Sequence, residues 1–225
     1  VLTWLDRAPA DAVIVVAAIA APVLSLLFTI GWRFRVVGPL TAVVLAVVMT
    51  LDSSWGQIFH TENLALLHVV VLAVSPCADA LVPGRPMVRA RGAGDYGWPL
   101  QVAAGIVVIT YVLAGLAKLR IGGWGWLDGD VLRHLVAHDN LRKAVLGDTH
   151  SPLGNALVAH RWVFTPMAIA TMIVELGAPL ALLGGRVRTA WVAAAWTFHV
   201  GVLALMAVLF AYPLLGVAYA PFFAL

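Results

Sequence analysis

Charge is the scarcest commodity in this chain. Of its 225 residues 11% are Asp, Glu, Lys or Arg and 62% are hydrophobic, where soluble domains carry roughly 25% charge. So little polar surface cannot cover a water-soluble globule, and a mean hydropathy of +0.96 places the chain in a bilayer instead. Cysteine is nearly absent: Cys77 stands alone, which rules out an internal disulfide and leaves the redox compartment undetermined. The apolar runs lack the period-two alternation of outer-membrane strands, so helices are the only spanning solution that satisfies the backbone in lipid. There is no Gly-rich phosphate loop, no nucleophile elbow and no CxxC. No cleavable signal peptide is visible, since the first apolar run is long enough to be a span.

What is present is arginine at the ends of apolar runs. The net charge of +3 and pI near 9.4 would point to nucleic acid in a soluble protein, but here they report membrane ends, and no nucleic-acid partner is expected. Twelve arginines against two lysines fit a GC-rich coding sequence and hence a bacterial source. The chain begins with Val1, which reads as a non-standard start or a truncated edge.

The pattern predicts an all-α polytopic membrane bundle of about six transmembrane helices, forming one domain over 1–225. The spans fall at 11–32, 36–51, about 57–75, 99 to about 119, 165–183 and 189–210. SPCADALVPGRPMVRARGAGDYGWP between the third and fourth reads as an irregular loop. Residues 120–161 read as an extracytoplasmic loop in which VLRHLVAHDNLRKAVL forms an amphipathic helix on the membrane surface. The tail AYPLLGVAYAPFFAL, broken by Pro213 and Pro221, reads as a half-span, a re-entrant piece or a helix lacking its remainder. Arg33 with Arg35, then Arg85, Arg89 and Arg91, then Arg186 with Arg188 fall in alternate loops, which makes those loops cytoplasmic and the chain a multi-pass protein of the cytoplasmic membrane.

Four ionisable groups then sit at membrane depth: His60, Lys118, Glu175 and His199. A charge at the bilayer centre costs about 2.5–3.5 kcal/mol on insertion scales, so such residues face the bundle interior and pair. Counting from span ends at about 1.5 Å per residue places Glu175 and His199 at one level, as a structural pair or proton relay, and puts His60 and Lys118 at the outer boundary. Lys118 taken alone reads as a snorkelling anchor. His68, within the short third span, reads as an interhelical polar contact, and His134 with His138 as a solvated helix face; no metal site is expected.

The order of several short motifs adds to this. Phe59, His60 and Asn63 are followed by Ser75, Pro76, Ala78 and Asp79, then by Tyr111, Ala114, Gly115, Lys118 and Leu119, by Trp126 and Gly129, by Glu175, and by Phe198 with His199. This succession resembles the membrane domain shared by vitamin K-dependent gamma-glutamyl carboxylases and their bacterial relatives, the HTTM family. The resemblance implies Lys118 as the base that deprotonates reduced vitamin K or menaquinol. It also implies that His60 helps to hold the quinol, with Asn63, Tyr111, Gly115 and Trp126 in the same binding region. Oxygen and carbon dioxide would be co-substrates. The base must be neutral when it acts, and apolar surroundings favour a neutral amine. The carboxylases' large luminal part is missing from this sequence, so quinol oxygenation or epoxidation is a firmer expectation than carboxylation of a peptide glutamate. Two other readings stand beside it: a non-catalytic accessory protein that matures a secreted peptide, and a proton-coupled transporter using Glu175 and His199, for which no internal repeat is found.

Overall fold

A computed structural model describes residues 9–54, 62–79 and 92–223. Helices account for the regular structure, and no strand occurs among the described residues. In chain order these are α1 (Asp11–Thr29), α2 (Phe34–Asp52), α3 (Asn63–Val74), α4 (Ala93–Gly122), α5 (Asp130–Val145), α6 (Pro152–Val158), α7 (Arg161–Leu176), α8 (Gly185–Met206), α9 (Ala211–Leu214) and α10 (Ala220–Phe223). The chain divides into two compact units, one holding 1–106 with Leu225 and the other holding 107–224.

Among the described residues four helices are long and apolar enough to cross a membrane: α1, α2, Gly94–Trp126 and α8. A fifth joins them if α6 and α7, bent by 113°, count as one broken span. The six expected spans differ from this at the third and fifth. The 12 residues of α3 reach about 18 Å, short of a hydrocarbon core of about 30 Å. The expected 165–183 span divides at Gly177, because Pro179 has no N–H to donate and its ring collides with the carbonyl four residues back; Ala178–Leu183 continues as a 3₁₀ helix. Part of the expected irregular loop is helical, since α4 begins at Ala93 and takes Pro99 inside.

In the first unit, α1 and α2 join through a tight turn in which Gly31 (φ 72°) and Arg33 (φ 41°) both take left-handed conformations. Gly38 sits where α2 presses on its neighbours: a β-carbon there would lie 3.2 Å from Phe28 and 3.3 Å from the Ala73 backbone. Buried Thr41 donates to its own helix at Val37 O, 2.7 Å away. His68, buried on α3, pairs with Ala103 O of α4 at 3.1 Å, the interhelical contact expected of it. On α1, Val16 and Leu26 are 66% and 68% exposed, which suits a lipid-facing surface and no aqueous one.

In the second unit α5 is amphipathic in an unexpected sense. Its buried residues are Val136, Asn140 and Lys143, so two of the three side chains it hides are polar. Asn140 Nδ2 donates to Leu205 O at 2.8 Å, Lys143 Nζ to Met206 O at 2.6 Å, and Ser151 Oγ, just before α6, to Ala204 O at 2.5 Å. These are the carbonyls at the C-terminal end of α8, which a helix cannot satisfy by itself. A cation at that end also opposes the helix dipole. Gly154 brings α6 against the same turn, because a β-carbon there would lie 2.0 Å from Leu205 O.

The tail is neither a straight seventh span nor a stub. Phe210 lies 5.0 Å from the His199 ring, Trp196 Nε1 donates to Leu214 O at 2.9 Å, Trp191 meets Tyr219 and Phe222 edge-on or tilted at 6.2 and 5.6 Å, and Arg188 Nη1 donates to Phe222 O at 2.6 Å. The tail thus runs back along α8 from end to start in short helical pieces, α9 with Pro213 inside it, a 3₁₀ turn at Val217–Tyr219 after Gly216 (φ 78°), and α10 with Pro221 inside it. Irregular backbone at membrane depth is tolerated only where protein supplies the missing hydrogen bonds. Trp196 and Arg188 do so here, and Ala218, Tyr219 and Phe222 are buried at 0%, 2% and 0% exposure.

Candidate functional site

The site lies where α4, α7 and α8 of the second unit approach one another. α4 continues past Lys118 to Gly122, then as a 3₁₀ turn through Trp126, so the lysine lies inside the element and not at its end. Gly115, one turn earlier, makes the approach to α7 possible. A β-carbon there would stand 2.8 Å from Leu176 Cδ2 and 3.1 Å from Glu175 Cβ.

Lys118 Nζ donates to Glu175 Oε1 in an ion pair between α4 and α7. The Glu175 side chain is almost wholly buried and that of Lys118 is a fifth exposed. Two rings flank the ammonium, Trp126 with its centroid 5.1 Å away and Phe198 at 5.3 Å, close enough for a favourable cation–π contact. Trp126 is held among Ala168, Met172, Leu119 and Leu132. Gly129 of the same W-x-x-G turn is required for two reasons: its φ is 87°, and a β-carbon would lie 2.4 Å from Thr165 N. Thr165 Oγ1 in turn donates to Asp128 O at 2.5 Å, closing the turn on α7.

A second polar group is buried alongside. The Tyr111 hydroxyl is hydrogen-bonded to His199 Nε2 at 2.7 Å and to the Tyr219 hydroxyl at 2.6 Å. Trp191 packs edge-on against Tyr111 at 5.1 Å and anchors its indole N–H on Val174 O at 2.9 Å. Glu175 Oε2 and His199 Nδ1 are buried without a hydrogen-bond partner among the described residues. Phe198, one of the two rings beside the Lys118 ammonium, also stands in the wall of a largely apolar cleft of about 400 Å³, with Leu132 and Val136 of α5, Thr171 and Val174 of α7, and Gly201 of α8; Lys118, Glu175, Tyr111 and His199 do not line it.

This arrangement corrects the expected pairing. Glu175 is bonded to Lys118, and His199 to Tyr111; the two do not form the relay that counting from span ends produced. The count misplaced Lys118 because α4 runs on after it, and misplaced Glu175 because α7 starts at Arg161 and stops at Leu176, which leaves Glu175 in its last turn.

A family model for the HTTM domain matches residues 1–224. The chain belongs to the HTTM family. That family is the membrane domain of vitamin K-dependent carboxylases, and the chain is accordingly a multi-pass membrane protein. No curated protein and no solved structure matches it. In this HTTM chain the motif residues Tyr111, Gly115, Lys118, Trp126, Glu175 and His199 all fall in the second unit. Asn63 opens α3 in the first unit, exposed. His60 lies outside the described residues. Ser75 and Asp79 of the SP-x-AD motif are held locally: Ser75 Oγ donates to Leu72 O at 2.9 Å and Asp79 accepts from the Tyr96 hydroxyl at 3.2 Å. His134 and His138 are exposed. Tyr219 and Trp191 were not identified from the sequence. The only hint was a tyrosine in a proline-broken apolar tail, a segment with no periodicity from which to derive a partner.

Proposed function

We propose that this HTTM chain is a quinol-dependent membrane enzyme related to the carboxylases, with Lys118 as its base. The observation that carries the reading is an ion pair between Lys118 and buried Glu175, flanked by Trp126 and by Phe198, a ring that also stands in the wall of an apolar cleft. A cleft of about 400 Å³ is within the size of ordinary small-molecule sites. A menaquinol or vitamin K hydroquinone would supply acidic hydroxyls and a reducing ring that reacts with oxygen, with carbon dioxide as the second co-substrate of a carboxylating reaction.

The protein's part is to move a proton. Glu175 takes one proton from the Lys118 ammonium, leaving a neutral amine and a neutral acid with no net charge created in the site. The Lys118 amine then takes the proton of a ligand hydroxyl and becomes an ammonium again, next to the negative oxygen it has produced. Trp126 and Phe198 favour the cationic form at that second stage, and the surrounding apolar walls exclude water that would otherwise reprotonate the ligand. We place the chain in the cytoplasmic membrane of a bacterium, with α3 and α7 as short fifth and sixth crossings and the α5–α6 segment on the outer face.

Purified protein in lipid nanodiscs, supplied with menaquinol or vitamin K hydroquinone, oxygen and carbon dioxide, tests the reading. Wild type is expected to consume quinol at least about 10²-fold faster than Lys118→Ala, the range typical for loss of a general base. Equal turnover in the two proteins would refute the role of Lys118.

A further inference from the structure

The start of α2, the end of α3 and the start of α4 enclose a cavity of about 500 Å³, all of it within the first unit. Its polar wall groups are Arg35, Ser75, Asp79, Asp95 and the indole of Trp98. Two of them are engaged locally, Ser75 Oγ as a donor to Leu72 O and Asp79 as the acceptor of the Tyr96 hydroxyl. The other three are not: the side chains of Arg35, Asp95 and Trp98 make no hydrogen bond or ion pair among the described residues. A guanidinium and a carboxylate therefore share one cavity without closing on each other. The charges limit what can enter. A plain anion would gain Arg35 but meet two carboxylates, and a plain cation would gain those and meet the guanidinium. A group carrying both signs a few ångströms apart satisfies each end with charge-assisted hydrogen bonds, and the Trp98 N–H, a donor only, suits the anionic end.

The cavity also continues into the membrane. Three more points of its wall, Pro39, Val74 and the Trp98 ring, each have a valine one helical turn further in on the same helix face. These are Val43, Val70 and Val102, exposed at 59%, 43% and 43%. Because α2 and α4 start at this end and α3 finishes there, the three valines lie at a similar depth, about 6 Å beyond the cavity. Trp98 stands just before the apolar run that opens at Pro99, a place that belongs to the level of lipid head groups. A polar cavity that opens onto an exposed apolar track suits an amphiphile rather than a soluble zwitterion. We infer that this cavity holds the head group of a zwitterionic phospholipid with a primary amine, its phosphate on Arg35 and the Trp98 N–H, its ammonium on Asp95 beside Asp79, and its chains along Val43, Val70 and Val102. The primary amine follows from the carboxylates, which accept N–H bonds that a trimethylammonium cannot donate. Nothing in the site involves Lys118 or a quinol.

Native mass spectrometry of the full chain in one detergent tests this, with equal amounts of phosphatidylethanolamine, phosphatidylcholine and phosphatidylglycerol carrying the same acyl chains. Wild type is expected to retain the ethanolamine lipid about fivefold over either of the others, the upper range for an exposed ion pair. Arg35 and Asp95 are exposed, so replacing them leaves the fold intact. Asp95→Asn is expected to remove the preference for ethanolamine over glycerol, because the charge that holds the ammonium is gone. Arg35→Gln is expected to weaken all three lipids alike, since each presents the same phosphate. Glycerophosphoethanolamine, the same head group without chains, is expected to displace no bound lipid at equal concentration. Retention of either other lipid as tightly as the ethanolamine lipid, a preference that survives Asp95→Asn, or unchanged retention in Arg35→Gln overturns the inference. Displacement by the chain-free head group overturns it as well and assigns the cavity to a soluble zwitterion.

Discussion

Removing one partner of the Lys118–Glu175 pair separates a structural ion pair from an incidental contact. In Lys118→Met the carboxylate of Glu175 keeps its burial, with its side chain 3% exposed, and loses its counter-charge. Breaking a buried pair in this way costs about 3–5 kcal/mol. The lower end applies, because Lys118 is 21% exposed and because a carboxyl left alone can take up a proton instead of remaining charged. For a chain of this size each kcal/mol lowers the unfolding midpoint by about 2–4 °C, so about 3 kcal/mol corresponds to roughly 6–12 °C. Glu175→Leu leaves a lysine that can still reach water and should cost about 1 kcal/mol. The double variant Lys118→Met with Glu175→Leu replaces the pair by apolar groups of similar size and should recover about 2 kcal/mol of the loss in Lys118→Met. The measurement is thermal unfolding of all four proteins in one detergent, combined as a double-mutant cycle. Additive losses in the double variant, or a Lys118→Met protein as stable as wild type, would refute the reasoning.

Gly115→Ala should lower stability by about 1–3 kcal/mol, since Leu176 Cδ2 can swing away but Glu175 Cβ cannot; an unfolding midpoint equal to wild type would mean that α4 and α7 are not in contact there. Gly129→Ala should cost more than about 3 kcal/mol, from a φ of 87° together with a β-carbon 2.4 Å from Thr165 N, and tryptophan fluorescence should report displacement of Trp126. Asn140→Leu strands the Ser151 amide and the Leu205 carbonyl and is expected to cost about 2–4 kcal/mol in chemical denaturation; a loss under about 0.5 kcal/mol would show that water reaches this turn freely.

The membrane class and most helices were legible because composition and apolar run length depend on single residues and their near neighbours. The 16 residues of α5 fell where the Leu, Val and Ala spacing put them. Its burial did not read correctly: the spacing put the helix on the membrane surface, and only the position of the α8 C-terminus shows that Asn140 and Lys143 are buried against carbonyls. The same distinction applies to the site. Lys118, Gly115, Trp126 and Glu175 stood out by residue type and motif, whereas their partners are set by where helices stop. Pro179 marked the end of α7 in plain view, yet its consequence, a glutamate in a last turn facing Lys118, needs the path of a second helix. Tyr219 had no local signal at all, since its contacts come from a return path made of short helical pieces.

The clamp on the last turn of α8 has a consequence for the order of biosynthesis. Asn140, Lys143 and Ser151 precede α8 in the chain, so their donors are already made when the carbonyls of Ala204, Leu205 and Met206 leave the ribosome. The α5–α6 segment therefore acts as a prepared receptacle for the helix that follows. It must reach its side of the membrane first, and a chain in which it was delayed would leave the end of α8 exposed to lipid without its hydrogen bonds.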